Sequence, residues 1–249
     1  MTTKLLKFIG FLIIGLLSIT ACGSNTIWNS RDVITGSGNV ITESREVNGF
    51  DGVSHTGIGR VIIVQGDEES LTIEADDNLL EYITSEVKSG TLELGFTDNV
   101  RIDSASPITF TVSVKDLKEL DATGTGSIEI DELSADNLNI STSGTGSISI
   151  GTLTVTDLVV KAEGTGDIEL AGNVETQEIR RVGTGDYKAA NLESKTAKVE
   201  AVGTGNVVVW VLDSLDVEIT GTSKVSYYGS PNVTQNITAT GSLTSLGDK

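Results

Sequence analysis

The tripeptide Gly-Thr-Gly recurs at 124–126, 144–146, 164–166, 183–185 and 203–205, with degenerate copies starting at Gly221 and Gly241. The intervals are 20, 20, 19, 20, 18 and 20 residues, so each copy marks one structural unit of a repeat architecture. The residue four places before the corner glycine tests whether the unit is strand or helix. It is Ile140, Val160, Ile179, Val199, Val217 or Ile237, always β-branched and apolar. Of the twelve residues flanking these six, eleven are polar, Val159 being the exception. That alternation has the two-residue period of a strand with one dry and one wet face.

A second strand follows each glycine corner, with Ile128/Ile130, Ile148/Ile150, Ile168/Leu170, Tyr187/Ala189, Val207/Val209 and Val225/Tyr227 facing inward. Leu133, Leu153, Leu192 and Leu212 suggest a third inward column. Three columns per twenty residues predict an all-β fold, a right-handed parallel β-helix or solenoid. Its coils stack ~4.8 Å apart, so six of them stand about 29 Å tall. Glycine suits the corners because a narrow bend demands positive φ.

Residues 39–122 are less regular but β-rich. Strand candidates are Arg60–Gly66, Leu71–Glu74, Thr91–Leu94 and Ile108–Val112, with a short helical turn near Asn78–Tyr82. This half is expected to cap the stack and shield its open edge. No low-complexity linker separates it from residues 123–249, so 39–249 reads as one domain.

The amino terminus reads as an export signal over residues 1–21: Lys4 and Lys7, an apolar run from Phe8 to Leu17, then Ile19-Thr20-Ala21-Cys22. The apolar run falls well short of the ~20 residues a membrane span needs. Ile19-Thr20-Ala21-Cys22 resembles a bacterial lipobox, which implies cleavage before Cys22 and lipid on its sulfur. Cys22 is the only cysteine of the chain, so it has no disulfide partner within it. Residues 22–38, rich in Ser, Asn, Thr and Gly, then read as a lipidated flexible tether. Gly23 after Cys22 lacks the aspartate that commonly retains lipoproteins at the inner membrane, which favours an outer-membrane destination in the cell envelope.

Loss of residues 1–21 leaves 15 basic against 35 acidic residues, a net charge near −20. Such an excess repels phosphate backbones, so nucleic acid is excluded as a partner.

The segments Gly49-Phe50-Asp51-Gly52-Val53, Gly57 and Gly59 with Val61–Gly66, Leu71–Leu80, Gly90–Leu94 and Pro107-Ile108, continuing into the Gly-Thr-Gly repeats, resemble the putative auto-transporter adhesin, head GIN domain family. The resemblance runs over roughly residues 39–240. It implies a secreted or lipid-anchored β-helical domain of bacterial envelopes, and it carries over no catalytic residue. His55 departs from the pattern, standing where an apolar or small residue is expected.

Candidate sites are few. His55 is the only histidine, without a nucleophile-elbow glycine pattern around any serine; it reads as a surface or strand-edge residue. Ser127, Ser147, Asp167, Asp186 and Asn206 form a corner column, in which Asp167 and Asp186 would repel unless solvent or a cation intervened. Calcium is the natural cation, yet the 20-residue period differs from that of calcium-binding nonapeptides, and solvated turn residues are the plainer reading. Neither a resident metal nor any other cofactor is expected. Trp210 and Tyr228, with Val208 close by, put apolar groups on outward positions that hold Asp131, Gly151, Ala171 and Ala190 in earlier coils. They form either an exposed platform for a sugar face or a protein partner, or a surface covered by the end of the chain or by a wider final coil. Arg181 falls in a column of Ala162, Ala201 and Ala239, in the repeat one residue short. The deletion is expected to turn Val182 in and Arg181 out, because a buried arginine without a carboxylate is costly.

The reading that follows is a non-enzymatic envelope lipoprotein, attached to a membrane through its lipid, whose β-helix is a binding or structural module, with adhesion as one such role. The alternative is a carbohydrate-active β-helix enzyme acting on polysaccharide. That would need clustered carboxylates beside a basic residue, whereas the acidic residues here spread over all faces.

Overall fold

The computed structural model describes residues 32–249; Cys22, the export signal and the first part of the expected tether lie outside them. The irregular half contains β1 (Asp32–Thr35), β2 (Val40–Arg45), β3 (Gly52–Gly57), β4 (Arg60–Gln65) and β5 (Ser70–Asp76). A 3-10 helix, Asp77–Tyr82, leads to β6 (Ile83–Lys88), β7 (Thr91–Phe96), β8 (Val100–Asp103), β9 (Thr109–Val114) and β10 (Glu119–Gly124). The repeat half contains β11 (Ser127–Gly144), β12 (Ile148–Gly164), β13 (Ile168–Gly183), β14 (Tyr187–Gly203) and β15 (Asn206–Gly221). It ends in β16 (Lys224–Tyr228), β17 (Asn232–Ala239) and β18 (Ser242–Ser245).

Each long strand pairs in parallel with the next, and the coils form an all-β parallel solenoid of about six turns. Registers match the repeat. Ile140 stands over Leu120 and under Val160, and the column continues through Ile179, Val199 and Val217, all at most 1% exposed. Removing such a side chain from water contributes about 1.5–3 kcal/mol, so these columns drive stacking. Outside, charged ladders such as Glu178–Lys198 (3.1 Å) and Glu175–Lys195 (2.6 Å) link neighbouring coils. Being about half exposed, they add little energy and mainly fix register.

The glycine corners are held by backbone contacts. Gly164 has φ +119°, and a Cβ there would collide with the carbonyl of Gly144 one coil below. Thr165 N–H donates to that carbonyl at 2.8 Å. The second glycine, Gly166, needs no unusual φ but lies against the Gly146 carbonyl, so only its missing side chain lets the coils close.

The irregular half contributes a turn of the solenoid as well as a cap. Gly57-Ile58-Gly59 is a corner like the others: Gly57 registers with Gly124, and Arg60 with Ser127. Beyond this first turn the pairing becomes mixed parallel and antiparallel. β9 lies parallel on β4, β5 antiparallel on β9 and β2 antiparallel on β5, while β7 lies parallel on β3 and β6 antiparallel on β7. Hairpin-like pieces thus cover the edge that a purely parallel stack would leave bare.

Five expectations are corrected. Residues 32–35, assigned to the tether, form β1, which pairs in parallel with β8. Leu212 is 42% exposed, because β15 is short by three residues opposite Ala189–Leu192 and Val211 takes the inward place. Ile237 is 37% exposed, since among the described residues nothing stacks on β17. His55 is 2% exposed rather than superficial. Arg181 points inward and is also 2% exposed, while Val182 is only half-buried. The missing residue is absorbed at the Ala171-Gly172 corner, where register slips between Ile150 and Leu153, so Arg181 keeps its place between Ala162 and Ala201.

Candidate functional site: an aromatic ladder on the outer wall

The outer wall is polar or charged along most of the repeat, and Val208, Trp210 and Tyr228 interrupt it. In β15 the alternation Val207, Val209, Val211 inward turns Val208 and Trp210 outward, both half-buried. Tyr228 is the register partner of Trp210 on the next coil, and Glu193 its partner on the coil before. Stacking therefore produces a row Glu193–Trp210–Tyr228.

A polar relay inside the solenoid fixes the backbone of this row. The Tyr187 hydroxyl donates to Gln177 Oε1 (3.2 Å), Gln177 Nε2 to Ser194 Oγ (2.7 Å), and Ser194 Oγ to the Trp210 carbonyl (2.9 Å). Burial holds the Tyr187 phenol well above its ordinary pKa, so it stays a donor. Gln177 sits in the column of Leu138, Leu158, Ala197 and Leu215. A polar residue in an apolar column was a usable signal that sequence reading passed over.

The platform is covered in part. The Lys249 ammonium lies 5.1 Å from the Trp210 ring centroid and 5.3 Å from that of Tyr228. It donates to the Ala190 carbonyl at 2.6 Å and to Asn191 Oδ1 at 2.5 Å. Cover by the end of the chain was one of the two sequence readings; that Lys249 supplies it was not legible, because a lysine at a non-repeating position carries no periodic signal.

The corner column is arranged differently from a cation cage. Asp167 Oδ1 accepts the Asp186 N–H (2.9 Å), and Oδ2 accepts Lys188 Nζ (2.6 Å). Asp186 Oδ1 in turn accepts both N–H groups offered by Asn206. Lys188 first, then the backbone N–H, hold Asp167 below the usual carboxylate range. The carboxylates are thus engaged along the stack, and among the described residues no group of three or more His, Cys, Asp or Glu converges as a metal site.

Besides Thr142, two larger polar side chains enter the interior at the same column. His55 Nε2 lies 3.1 Å from the Ile58 carbonyl, with the ring 5.4 Å from Phe110. Burial pulls its pKa below the ordinary value. Arg181 donates to five carbonyls: Gly185 (2.8 Å), Ala162 (2.9 Å), Val182 (3.1 Å), Gly164 (3.1 Å) and Gly166 (3.2 Å). Corner carbonyls replace the carboxylate that the sequence reading required, while Asp167 and Asp186 oppose the pKa drop that burial causes. Both residues are built into the wall and serve structure.

Among the described residues no helix is long and apolar enough to cross a membrane. No curated protein matches the sequence. A putative adhesin from Bacteroides fragilis is 26% identical, with TM-score 0.80, over 87% of this chain and 100% of that one. A putative lipid binding protein from Parabacteroides distasonis (23% identical, TM-score 0.73, 86% and 100% covered) shares the fold. So does a putative adhesin from Parabacteroides merdae (22%, TM-score 0.65, 86% and 99%). Residues 49–231, most of the solenoid and its cap, match the family described as putative auto-transporter adhesin, head GIN domain, and the chain belongs to that family.

Proposed function

We propose that this protein is a non-enzymatic, adhesin-like binding module of the bacterial envelope, held to a membrane by lipid on Cys22, with the Trp210–Tyr228 ladder as its contact surface. The observation that carries the reading is the pairing of two half-buried aromatics on adjacent coils of a largely polar wall. Aromatics of this kind offer large contact area with a polar edge, which suits recognition more than exposure to water. The aliphatic columns fill the interior, which leaves the outer wall for contact. Family membership and the Bacteroides fragilis neighbour support an adhesin-like role at the cell surface or envelope. Gly23 after Cys22 supports the outer membrane as the site of anchoring.

The test uses the full chain expressed in its own envelope. Substituting both Trp210→Ala and Tyr228→Ala should abolish adherence to immobilised matrix proteins or glycans while leaving the melting temperature within a few degrees. Unchanged adherence by a folded double variant would overturn the ladder as the contact surface. Cys22→Ser should move the protein from the membrane to the soluble fraction and remove incorporation of labelled palmitate; persistence in the membrane would refute lipid anchoring.

A further inference from the structure

We infer that the notch between the Trp210 and Tyr228 rings is a binding site for an alkylammonium group, the ligand being a lysine side chain of a protein partner, and that Lys249 occupies it in this structure. The inference rests on the reading of the ladder as a contact surface and supplies its ligand chemistry.

Four groups converge on the single nitrogen of Lys249: two ring faces at 5.1 and 5.3 Å, the Ala190 carbonyl at 2.6 Å and Asn191 Oδ1 at 2.5 Å. An ammonium has three N–H donors and no acceptor. Here two donors meet oxygens, and the charge meets the electron-rich faces of the rings, the arrangement that favours a cation over any neutral group. The oxygens come from β14, Trp210 from β15 and Tyr228 from β16, so three successive coils build the notch and their stacking sets its width. Glu193, beside Trp210 in the ladder, adds a carboxylate to the same row.

Two further points favour a cation from outside. The chain carries a formal net charge of −18, which draws cationic partners toward it over long range. The groups that define the notch belong to the rigid stack, whereas Lys249 lies beyond the last strand and only fills what the stack has formed. A compact ammonium suits two oxygens that both reach one nitrogen. The planar fork of a guanidinium spreads its donors over several nitrogens and would match them poorly.

Lys249 then acts as an intramolecular competitor, with an effective concentration on the order of millimolar. The test uses the full chain with Trp28→Phe, which leaves Trp210 as the sole indole. Its fluorescence is titrated with acetyl-Gly-Lys-Gly-amide and with the norleucine peptide, which keeps the alkyl stem and lacks the charge. In Lys249→Ala the lysine peptide should give a saturable change with a Kd of about 1 mM. With Lys249 in place it should bind more weakly by about twofold or more, and Tyr228→Ala added to Lys249→Ala should weaken it about fivefold or more. The norleucine peptide should give no saturable change. Absence of saturation in Lys249→Ala with an unchanged melting temperature would overturn the inference, as would equal responses to the two peptides. If adherence still depended on the aromatic pair after either result, the ladder would stand as a contact surface of other chemistry; if it did not, both readings would fall.

Discussion

The Arg181 guanidinium and the Gly185 backbone occupy complementary space: Nε donates to the Gly185 carbonyl at 2.8 Å, and Nη2 stands where a Cβ on residue 185 would be. A cation is thereby neutralised by peptide dipoles across a glycine corner. Arg181→Met keeps most of the volume and removes every donor, so it should destabilise the protein by about 3 kcal/mol or more. Arg181→Lys should recover part of that loss. Urea unfolding of the three proteins checks this; equal stability of the Met variant would mean that the carbonyls are satisfied without the arginine.

His55 makes stability depend on pH. Burial lowers its folded pKa below 6.5, so the unfolded chain binds more protons between the two values, and stability falls as pH drops through that window. The limiting slope is about 1.4 kcal/mol per pH unit for one proton. His55→Gln should flatten the curve just below pH 6.5 without changing the loss at more acidic pH, where carboxylates such as Asp167 are protonated. Unfolding free energies measured from pH 7.5 to 4 decide the point.

Position within a column should govern the cost of truncation. Ile140, 1% exposed, lies between coils on both sides, whereas Ile237, 37% exposed, has a neighbour on one side alone among the described residues. Ile140→Ala should cost about 2–5 kcal/mol and Ile237→Ala about 1 kcal/mol or less, read from chemical denaturation. Similar costs at the two sites would mean that something covers β17 in solution.

Gly166, between two coils that both carry glycine at this corner, should tolerate no Cβ, unlike the final corners where Ser223 and Ala239 stand. Gly166→Ala forces the new methyl against the Gly146 carbonyl and should cost about 3 kcal/mol or more. Thr165→Ala, in the same turn and exposed, should stay within about 0.5 kcal/mol. Thermal melts of the pair are sufficient.

Because Asp167 and Asp186 already accept backbone and side-chain donors along the stack, 2 mM calcium should leave the melting temperature unchanged. A clear rise, lost in Asp167→Asn, would restore the corner column as a calcium site.

The repeat half was legible because period-two alternation and a fixed interval together determine register. Ile140, Val160, Ile179, Val199 and Val217 stack as the sequence orders them. Reading failed where a local length change was placed at the wrong corner. A one-residue deletion can be absorbed at any bend, and only packing shows that it falls at Ala171-Gly172 and leaves Arg181 inside. His55 was misread for a related reason: its acceptor, the Ile58 carbonyl, belongs to a corner visible as such only once Gly57 is set beside Gly124. Of the candidate site, Trp210 and Tyr228 stand out as large aromatics at outward positions that hold Asp131, Gly151, Ala171 and Ala190 in earlier coils, although stacking sets Glu193 rather than Ala190 beside Trp210. Lys249 and the relay through Gln177 and Ser194 depend on tertiary closure.

The solenoid is closed by antiparallel pieces around β5 and β6 at one end, while β17 at the other carries eight residues that are all exposed. Such a column is a ruler with one fixed zero. Duplicating a single twenty-residue segment next to the bare end would lengthen it by about 4.8 Å without disturbing the first turn, so relatives could differ in reach by whole increments while the closed end stayed the same.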